Sequence, residues 1–491
     1  MLLLDVLKNT QIIEKKIFNN FDLSIKGIHF NSKKILKNFI FVAVKGGSDD
    51  GHKYIEEALK NGAVLIVIDK KEVIDNLKKN KINFIYTKDS RIFLSKISSN
   101  FFSRQPKFIS AVTGTNGKTS VSYITRELWK NCNVNSASIG TLGLISNNFK
   151  KKLSLTTENS LTIHKLLYDL RKKKINNICI EASSHGLKQN RIDNIKLDIA
   201  AFTNISHDHY DYHKDFNDYF KSKMILFSKI LKKNGIAIIN SDLPEFNKVF
   251  NLCKKNKLKI FTYGIKSNDL KIISFYEKNN NQIVEILYKK KNYNFNIPLI
   301  GDFQVYNCLC AILIVHLSGV PFNKCIKKIE NISQIPGRLE MINIPNNAKK
   351  KRISIFVDYA HTPDALEKTL IILKKKSSKL SVVFGCGGNR DNKKRALMGK
   401  IADRLSDKIY ITDDNPRNEP AAKIRKQIIS CCSRAYEIKD RYKAIKKAID
   451  NSEKGEKILV AGKGHEDYQI IGKKIYKFSD KKTILDILKK L

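Results

Sequence analysis

The segment AVTGTNGKTS, residues 111–120, decides the fold. It closes the apolar run FISAV and opens VSYITRELWK, so the sequence predicts a strand, a tight turn and a helix. Gly114, Thr115, Asn116 and Gly117 form the turn, with Lys118, Thr119 and Ser120 entering the helix. Glycines let backbone N–H groups converge on phosphate oxygens. The helix start adds partial positive charge, a lysine reaches the outer phosphates, and a hydroxyl can hold Mg²⁺. The usual G-x-x-x-x-G-K-[ST] spacing is not met, because Val112 stands where the first glycine belongs. A surface lysine on an ordinary strand-turn-helix is the bland alternative.

Working outward, 491 residues with 42% apolar content can bury several cores, and the length predicts three domains. No run is long and apolar enough for a membrane span, and MLLLDVLKNT lacks the features of a signal peptide. A cytoplasmic protein without a membrane partner is the expectation. The nine cysteines show no C-x-x-C spacing, which argues against a zinc site or a disulfide framework. The 91 Lys+Arg against 47 Asp+Glu give +44, a balance that fits a polyanion-binding protein. The lysines, however, are scattered in short runs among Ile and Asn, as the codons of an A+T-rich genome produce. No specific nucleic-acid partner is expected.

Up to residue 106, FIFVAV and AVLIVI flank the amphipathic YIEEALKNGA, which predicts a small α/β domain ending near Pro106. Residues 107–335 hold FISAVTG, INNICIEAS, LDIAAFTNIS and GIAIINSD, the buried strands of a mostly parallel sheet. Within them, IFTYG, KIISFY, QIVEILY and YNFNIPL, between 257 and 300, predict a small antiparallel insert. Residues 336–491 return to alternation with ISIFVDYA, LSVVFGCGG, KIYITDD and KILVAGKG, a third α/β domain of Rossmann-like type.

Two further groups suit a magnesium-nucleotide site. Glu181 ends a predicted strand, where an acid faces the crevice at the carboxyl edge of a parallel sheet. His209 lies in TNISHDHYDYH, with His207 and His213 nearby. Taken singly, Glu181 could cap a helix and each histidine could be structural. The His207-x-His209 spacing also admits zinc, though no cysteine is near in sequence.

TGTNGKTS, EASSHGLKQNR, TNISHDHYDYH, YFKSKMILF, GDFQVYN, IPGRLE, DYAHTPD, GCGGNRD, DDNPRNE and AGKGHEDYQ, in this order, resemble the Mur ligases of peptidoglycan synthesis, and among them the diaminopimelate-adding members. The resemblance spans essentially the whole chain. It implies an α/β, three-domain architecture: a UDP-substrate domain (1–106), a P-loop ATPase domain (107–335) and an amino-acid domain (336–491). It also implies ATP-dependent amide formation through an acyl phosphate. Meso-2,6-diaminopimelate would join the γ-carboxylate of the D-glutamate in UDP-N-acetylmuramoyl-L-alanyl-D-glutamate. Such an enzyme serves cell-wall synthesis, and hence cell shape and division, and is expected to act as a monomer on small molecules.

By the same resemblance, ATP and Mg²⁺ are the cofactors. Thr119 or Ser120 would serve a first metal ion, Glu181 and His209 a second, and Lys118 the transferring phosphoryl group. Lys223 would be carbamylated. Asn307 resembles an adenine contact, and Arg338 and Asp358 resemble ribose and phosphate contacts. The uridine substrate would be held by Phe30, Ser32, Gly47, Ser48, Asp49, Thr156, Thr157, Ser183, Gln189 and Arg191. Asn31 and Lys33 depart from the family's Asp-Ser-Arg, and Leu155 stands where asparagine is common. Lysine for arginine loses a bidentate fork, so weaker substrate binding is expected.

Asp414, Asn415, Pro416 and Arg417 match the motif with which diaminopimelate-adding members read the far end of their amino acid. That end carries a carboxylate and an ammonium on one carbon. An arginine fork fits the first and carboxylates fit the second. Arg390, Gly462 and Glu466 match the remaining contacts. L-lysine lacks the distal carboxylate, and a site built for a missing polar group rejects the analogue strongly. The bland alternative for Arg417 is a surface turn paired with Glu419. A lysine-adding or folylpolyglutamate-type ligase, or a basic nucleic-acid binder with a vestigial ATPase site, are the competing functions.

Overall fold

The structure, a computed structural model, describes all residues except 19–22, 47–48, 207, 211, 345–351, 433 and 491. Three principal sheets follow one another along the chain. In the first, the parallel strands Gly27–His29, Phe39–Val42, Ala63–Ile68 and Phe84–Tyr86 carry Glu14–Lys16 antiparallel at one edge. Helix Ser90–Phe101, capped by the Asp89 carboxylate, closes this unit. It packs on the central helix Ser160–Lys172, where the Ser95 hydroxyl donates to the Asp193 carbonyl at 2.8 Å.

The central sheet has eleven strands. Its parallel part runs Lys259–Gly264, Leu231–Asn240, Leu197–Phe202, Phe108–Thr113, Asn177–Glu181, Ser136–Gly140. Phe108–Thr113 therefore lies in the middle, with the chain departing first to one side and later to the other. That reversal opens a crevice at the carboxyl edge, where open α/β sheets bind ligands. The expected antiparallel insert needs correcting: Lys259–Gly264 pairs in parallel with Leu231–Asn240, and only Leu270–Lys278, Asn281–Tyr288 and Lys291–Ile297 run antiparallel to one another. These three extend the edge of the same sheet rather than forming a separate one. The helices Lys118–Asn131 and Asp302–Leu317 cover one face around Trp129 and Leu309, and Ser160–Lys172 lies on the other. DFQVYNCLCAILIVHL is apolar on nearly every side, as a helix enclosed by sheet and helices must be.

The third sheet orders its strands Glu340–Met341, Ser354–Asp358, Lys457–Ala461, Leu380–Phe384, Lys408–Ile411, Ala435–Glu437, all parallel except the first. A separate hairpin, Tyr468–Ile471 with Lys474–Lys477, follows. Eight of the nine cysteines are buried, Cys431 is exposed, and all are free. Among the described residues no helix is long and apolar enough to cross a membrane.

Candidate active site

The turn after Phe108–Thr113 depends on its two glycines. Gly114 and Gly117 have φ of 154° and 89°. A Cβ on Gly114 would stand 1.9 Å from the Thr203 hydroxyl, and one on Gly117 would stand 2.7 Å from Asn307 Oδ1. The turn thus lies against strand Leu197–Phe202 on one side and helix Asp302–Leu317 on the other. Lys118 folds back over it, donating to the carbonyls of Gly114 (2.7 Å) and Thr115 (2.8 Å). Burial lowers the Lys118 pKa, opposed by the Glu181 and Asp208 carboxylates and reinforced by Arg338.

Glu181 closes the floor of the crevice. Its Oε2 accepts from the hydroxyls of Thr119 (2.8 Å) and Thr141 (3.0 Å), and its Oε1 accepts from the Thr141 N–H (2.9 Å). A Cβ at Gly140 would collide with this carboxylate, which is why that strand ends in glycine. Sequence reasoning missed Thr141, although the Gly140–Gly143 turn around it is visible in the sequence. Thr156 shares a hydroxyl contact with Thr141 at 3.1 Å. Thr157 donates to the Glu181 carbonyl and bonds Ser183, while Arg191 holds the Thr157 carbonyl at 2.7 Å and Gln189 Oε1. These five candidates therefore form one hydrogen-bonded group beside Glu181.

The first sheet's candidates lie apart from that group. Phe30 stacks on His29, and the buried Ser32 donates to Glu57. Asp49 is exposed and accepts from Tyr54. Asn31 caps the short turn over Ser32–Lys34, and Leu155 is exposed. Gly47, Ser48 and His207 lie outside the described residues.

His209 has φ 58°, approaches Asp208 at 3.4 Å and meets the rings of His185 and Tyr219. Burial pushes its pKa down to about 3, so its imidazole is neutral and able to ligate. No hydrogen bond joins it to Glu181. His213 is structural: buried, bonded to Ser184 and 3.4 Å from Asp218. Among the described residues no three His, Cys, Asp or Glu side chains gather as a metal cage. Magnesium takes few protein ligands and completes its shell with phosphates and water. The Thr119 hydroxyl against the Glu181 carboxylate suits that pattern, and Ser120 is buried one residue further on.

The third unit completes the enclosure. Arg338 donates to the Thr119 hydroxyl at 3.1 Å and lies over the Tyr359 ring at 4.6 Å. Asp358 accepts from the N–H groups of Leu339 and Ala360 (2.7 Å), and burial pushes its pKa up to about 6. Asn116 donates to Asp364 at 3.1 Å, tying the Gly114–Gly117 turn to the first turn of helix Pro363–Lys374. Between the central and third units lies a cavity of about 370 Å³, lined by Thr115–Ser120, Thr156, Ser183, His209, Lys223, Asn307, Arg338 and Asp358. Tyr306, held by Asp242 at 2.9 Å, and Phe303 form its aromatic end, neither of them picked out by sequence reasoning.

A second polar cluster sits at the carboxyl edge of the third sheet. Arg417, at φ 52°, is clamped by the hairpin: its N–H donates to the Ile470 carbonyl (3.1 Å) and its carbonyl accepts from the Gly472 N–H (2.7 Å). Among the described residues its guanidinium donates only to the carbonyls of Gly388 (3.0 Å) and Asn415 (3.4 Å). The expected alternative partner, Glu419, is instead taken by Arg395 through two bonds of 2.6 and 2.8 Å. Among the described residues Arg417 has no carboxylate partner. Asp414 lies against Gly462, whose Cβ would stand 2.8 Å from Asp414 Oδ2, and Asn415 donates to Glu466 at 2.9 Å. Pro416 precedes Arg417, and Arg390 lies beside Gly387. A guanidinium without a carboxylate partner, in a cluster that also holds the Asp414 and Glu466 carboxylates, suits a zwitterionic head group.

Family models match the chain in three segments: the Mur ligase family, catalytic domain, over 24–102; the Mur ligase middle domain over 112–315; and the Mur ligase, glutamate ligase domain, over 337–464. The UDP-N-acetylmuramoyl-L-alanyl-D-glutamate--2,6-diaminopimelate ligase of Rickettsia conorii is 42% identical over 475 residues, covering 95% of this chain and 96% of the relative. A solved structure of an enzyme of that name superposes with TM-score 0.68 at 29% identity, over 97% of each chain. MurF ligase from Thermotoga maritima in complex with ADP, at 19% identity and TM-score 0.62 over 96% and 98%, shares the fold.

Proposed function

The chain belongs to the Mur ligase family, and from that premise we propose that it joins meso-2,6-diaminopimelate to the D-glutamate γ-carboxylate of UDP-N-acetylmuramoyl-L-alanyl-D-glutamate at the expense of ATP. The observation that carries the choice of amino acid is Arg417, clamped by the hairpin yet open to a carboxylate.

In this reading the domains divide near residues 106 and 335. The phosphate loop and Arg338 hold the triphosphate, Asn307 and the Tyr306 end take the base, and Asp358 approaches the ribose. The γ-carboxylate attacks the γ-phosphorus, the bond to the β-phosphate oxygen breaks, and ADP leaves an acyl phosphate. The amine then attacks the acyl carbon, loses a proton, and the tetrahedral adduct expels phosphate. Two anions must meet in the first step, so Lys118 and Arg338 lower its barrier electrostatically. Thr119, Ser120, Glu181 and His209 would hold Mg²⁺, which when bound neutralises developing phosphate charge. Thr156, Thr157, Ser183, Gln189 and Arg191 orient the dipeptide end beside Glu181. Phe30, Ser32, Asp49 and the Gly47–Ser48 segment hold the uridine end. The same reading has the enzyme working as a monomer in the cytoplasm, supplying peptidoglycan precursor for cell shape and division.

Phosphate release and product mass, measured with meso-diaminopimelate, L-lysine or no amino acid, test the proposal. Turnover with diaminopimelate is expected to exceed that with lysine by about a hundredfold or more, and Arg417→Ala is expected to narrow the ratio to about tenfold or less. Equal use of lysine by the unaltered enzyme would remove the role given to Arg417. ATP turnover indifferent to both amino acids would sink the ligase reading.

A further inference from the structure

Lys463, in AGKGHE, is fully buried at 0% exposure. Its ammonium donates to Asn415 Oδ1 at 3.0 Å and to Glu466 Oε2 at 3.1 Å. Asn415 Nδ2 donates to the same Glu466 oxygen at 2.9 Å, and the Ile470 N–H donates to the same Asn415 oxygen at 3.0 Å. The three side chains form a closed triangle in which the Asn415 amide can take one orientation only. Glu466 Oε2 already has two donors. Its other oxygen has none among the described residues, and the Asp414 carboxylate lies against Gly462 of the same loop.

We propose that Lys463 is a positioning residue for the incoming amino acid: one buried ammonium fixes Glu466 and Asn415 so that the free Glu466 oxygen faces the substrate's distal ammonium. The inference rests on the proposed role of the Arg417 cluster in binding the amino acid. Its physical basis is that a buried charge must be paired, and that charge-assisted hydrogen bonds from a buried ammonium hold a carboxylate and an amide in one direction. A lysine suits this place because its compact ammonium can serve two acceptors at once, whereas an arginine fork is planar and larger. Without Lys463, Glu466 loses one of its two donors and a fixed direction, and an acceptor held loosely selects its ligand poorly.

The test uses the full chain with Lys463→Met, Glu466→Gln and the double variant, following KM for meso-diaminopimelate, ATP and the uridine substrate, with thermal melts to confirm folding. Lys463→Met is expected to raise the diaminopimelate KM about tenfold or more, leaving the other two KM values within about twofold. In the Glu466→Gln background the same change is expected to add less than about twofold, because Lys463 acts through Glu466. An unchanged diaminopimelate KM in Lys463→Met, or an equal factor in both backgrounds, would overturn the proposal. If Lys463→Met does not fold, the double variant, which carries neither charge, is compared with Glu466→Gln: equal KM values support the proposal and a further tenfold rise, about the size expected of a lost charged hydrogen bond, overturns it. An unaltered KM in Glu466→Gln itself would take the pocket assignment down with it.

Discussion

Lys223 ends against the Gly114 carbonyl, 2.8 Å away, with the Tyr219 ring 4.3 Å beneath it and 1% of its surface exposed. Burial, helped by repulsion from Lys118, holds its pKa well below the ordinary lysine value. A neutral amine is the form that combines with CO₂, losing a proton to give a carbamate, and a lowered pKa enlarges that form at any given pH. Incubation with ¹³C-bicarbonate is expected to give a protein-bound carbamate resonance in the unaltered chain that is missing in Lys223→Arg. A resonance equally strong in both would remove the assignment. From sequence alone Lys223 looks like any lysine on the face of a helix, and only the family pattern picked it out. Lys463 was passed over for the opposite reason: it stands inside a motif whose glycine and glutamate drew the attention. Burial, which separates both from surface lysines, is a property of the fold.

The elements were legible where their residues announce them. Apolar runs such as AVLIVI and KIYI became strands, and GTNGKTS became a turn into a helix with both glycines at positive φ. Ser136–Gly140 escaped because SASIG carries small residues where a strand usually shows branched ones; its last residue is a glycine because Glu181 lies against it. Lys259–Gly264 was assigned the wrong direction because a short apolar strand looks the same in parallel and antiparallel pairing. The hairpin that clamps Arg417 was also missed. YQII and KIYK are half-polar, and their partner in packing is a loop rather than a sheet.

At the scale of the molecule, the site exists through contacts between units that no local pattern reveals: Asn116 with Asp364, Arg338 with Thr119, and Ser95 with Asp193. His164 lies at the last of these junctions, fully buried, with one ring nitrogen 3.0 Å from the Asp193 carbonyl and the other unpartnered. Burial pushes its pKa down to about 4. Unfolding lets it bind a proton below its ordinary pKa, so its contribution to stability is complete above about pH 6.5 and drains away as pH falls toward 4. Asp358 works in the opposite sense, since its raised pKa favours the folded state progressively as pH falls from about 6 toward 3.8. Between about pH 7.5 and about pH 5, the unaltered protein is expected to lose about 2 kcal/mol more stability than His164→Gln, read from denaturant midpoints. Parallel losses in both would mean that His164 is not held neutral.

In the proposed reaction the γ-carboxylate is activated by phosphorylation and then captured by the amino acid. With ¹⁸O placed in the γ-carboxylate of UDP-N-acetylmuramoyl-L-alanyl-D-glutamate, mass spectrometry of the released phosphate follows the oxygen directly. The account predicts a single labelled oxygen in each phosphate formed with ATP and meso-diaminopimelate, matched by product. Unlabelled phosphate would mean that water, not the carboxylate, receives the phosphoryl group, and would contradict it.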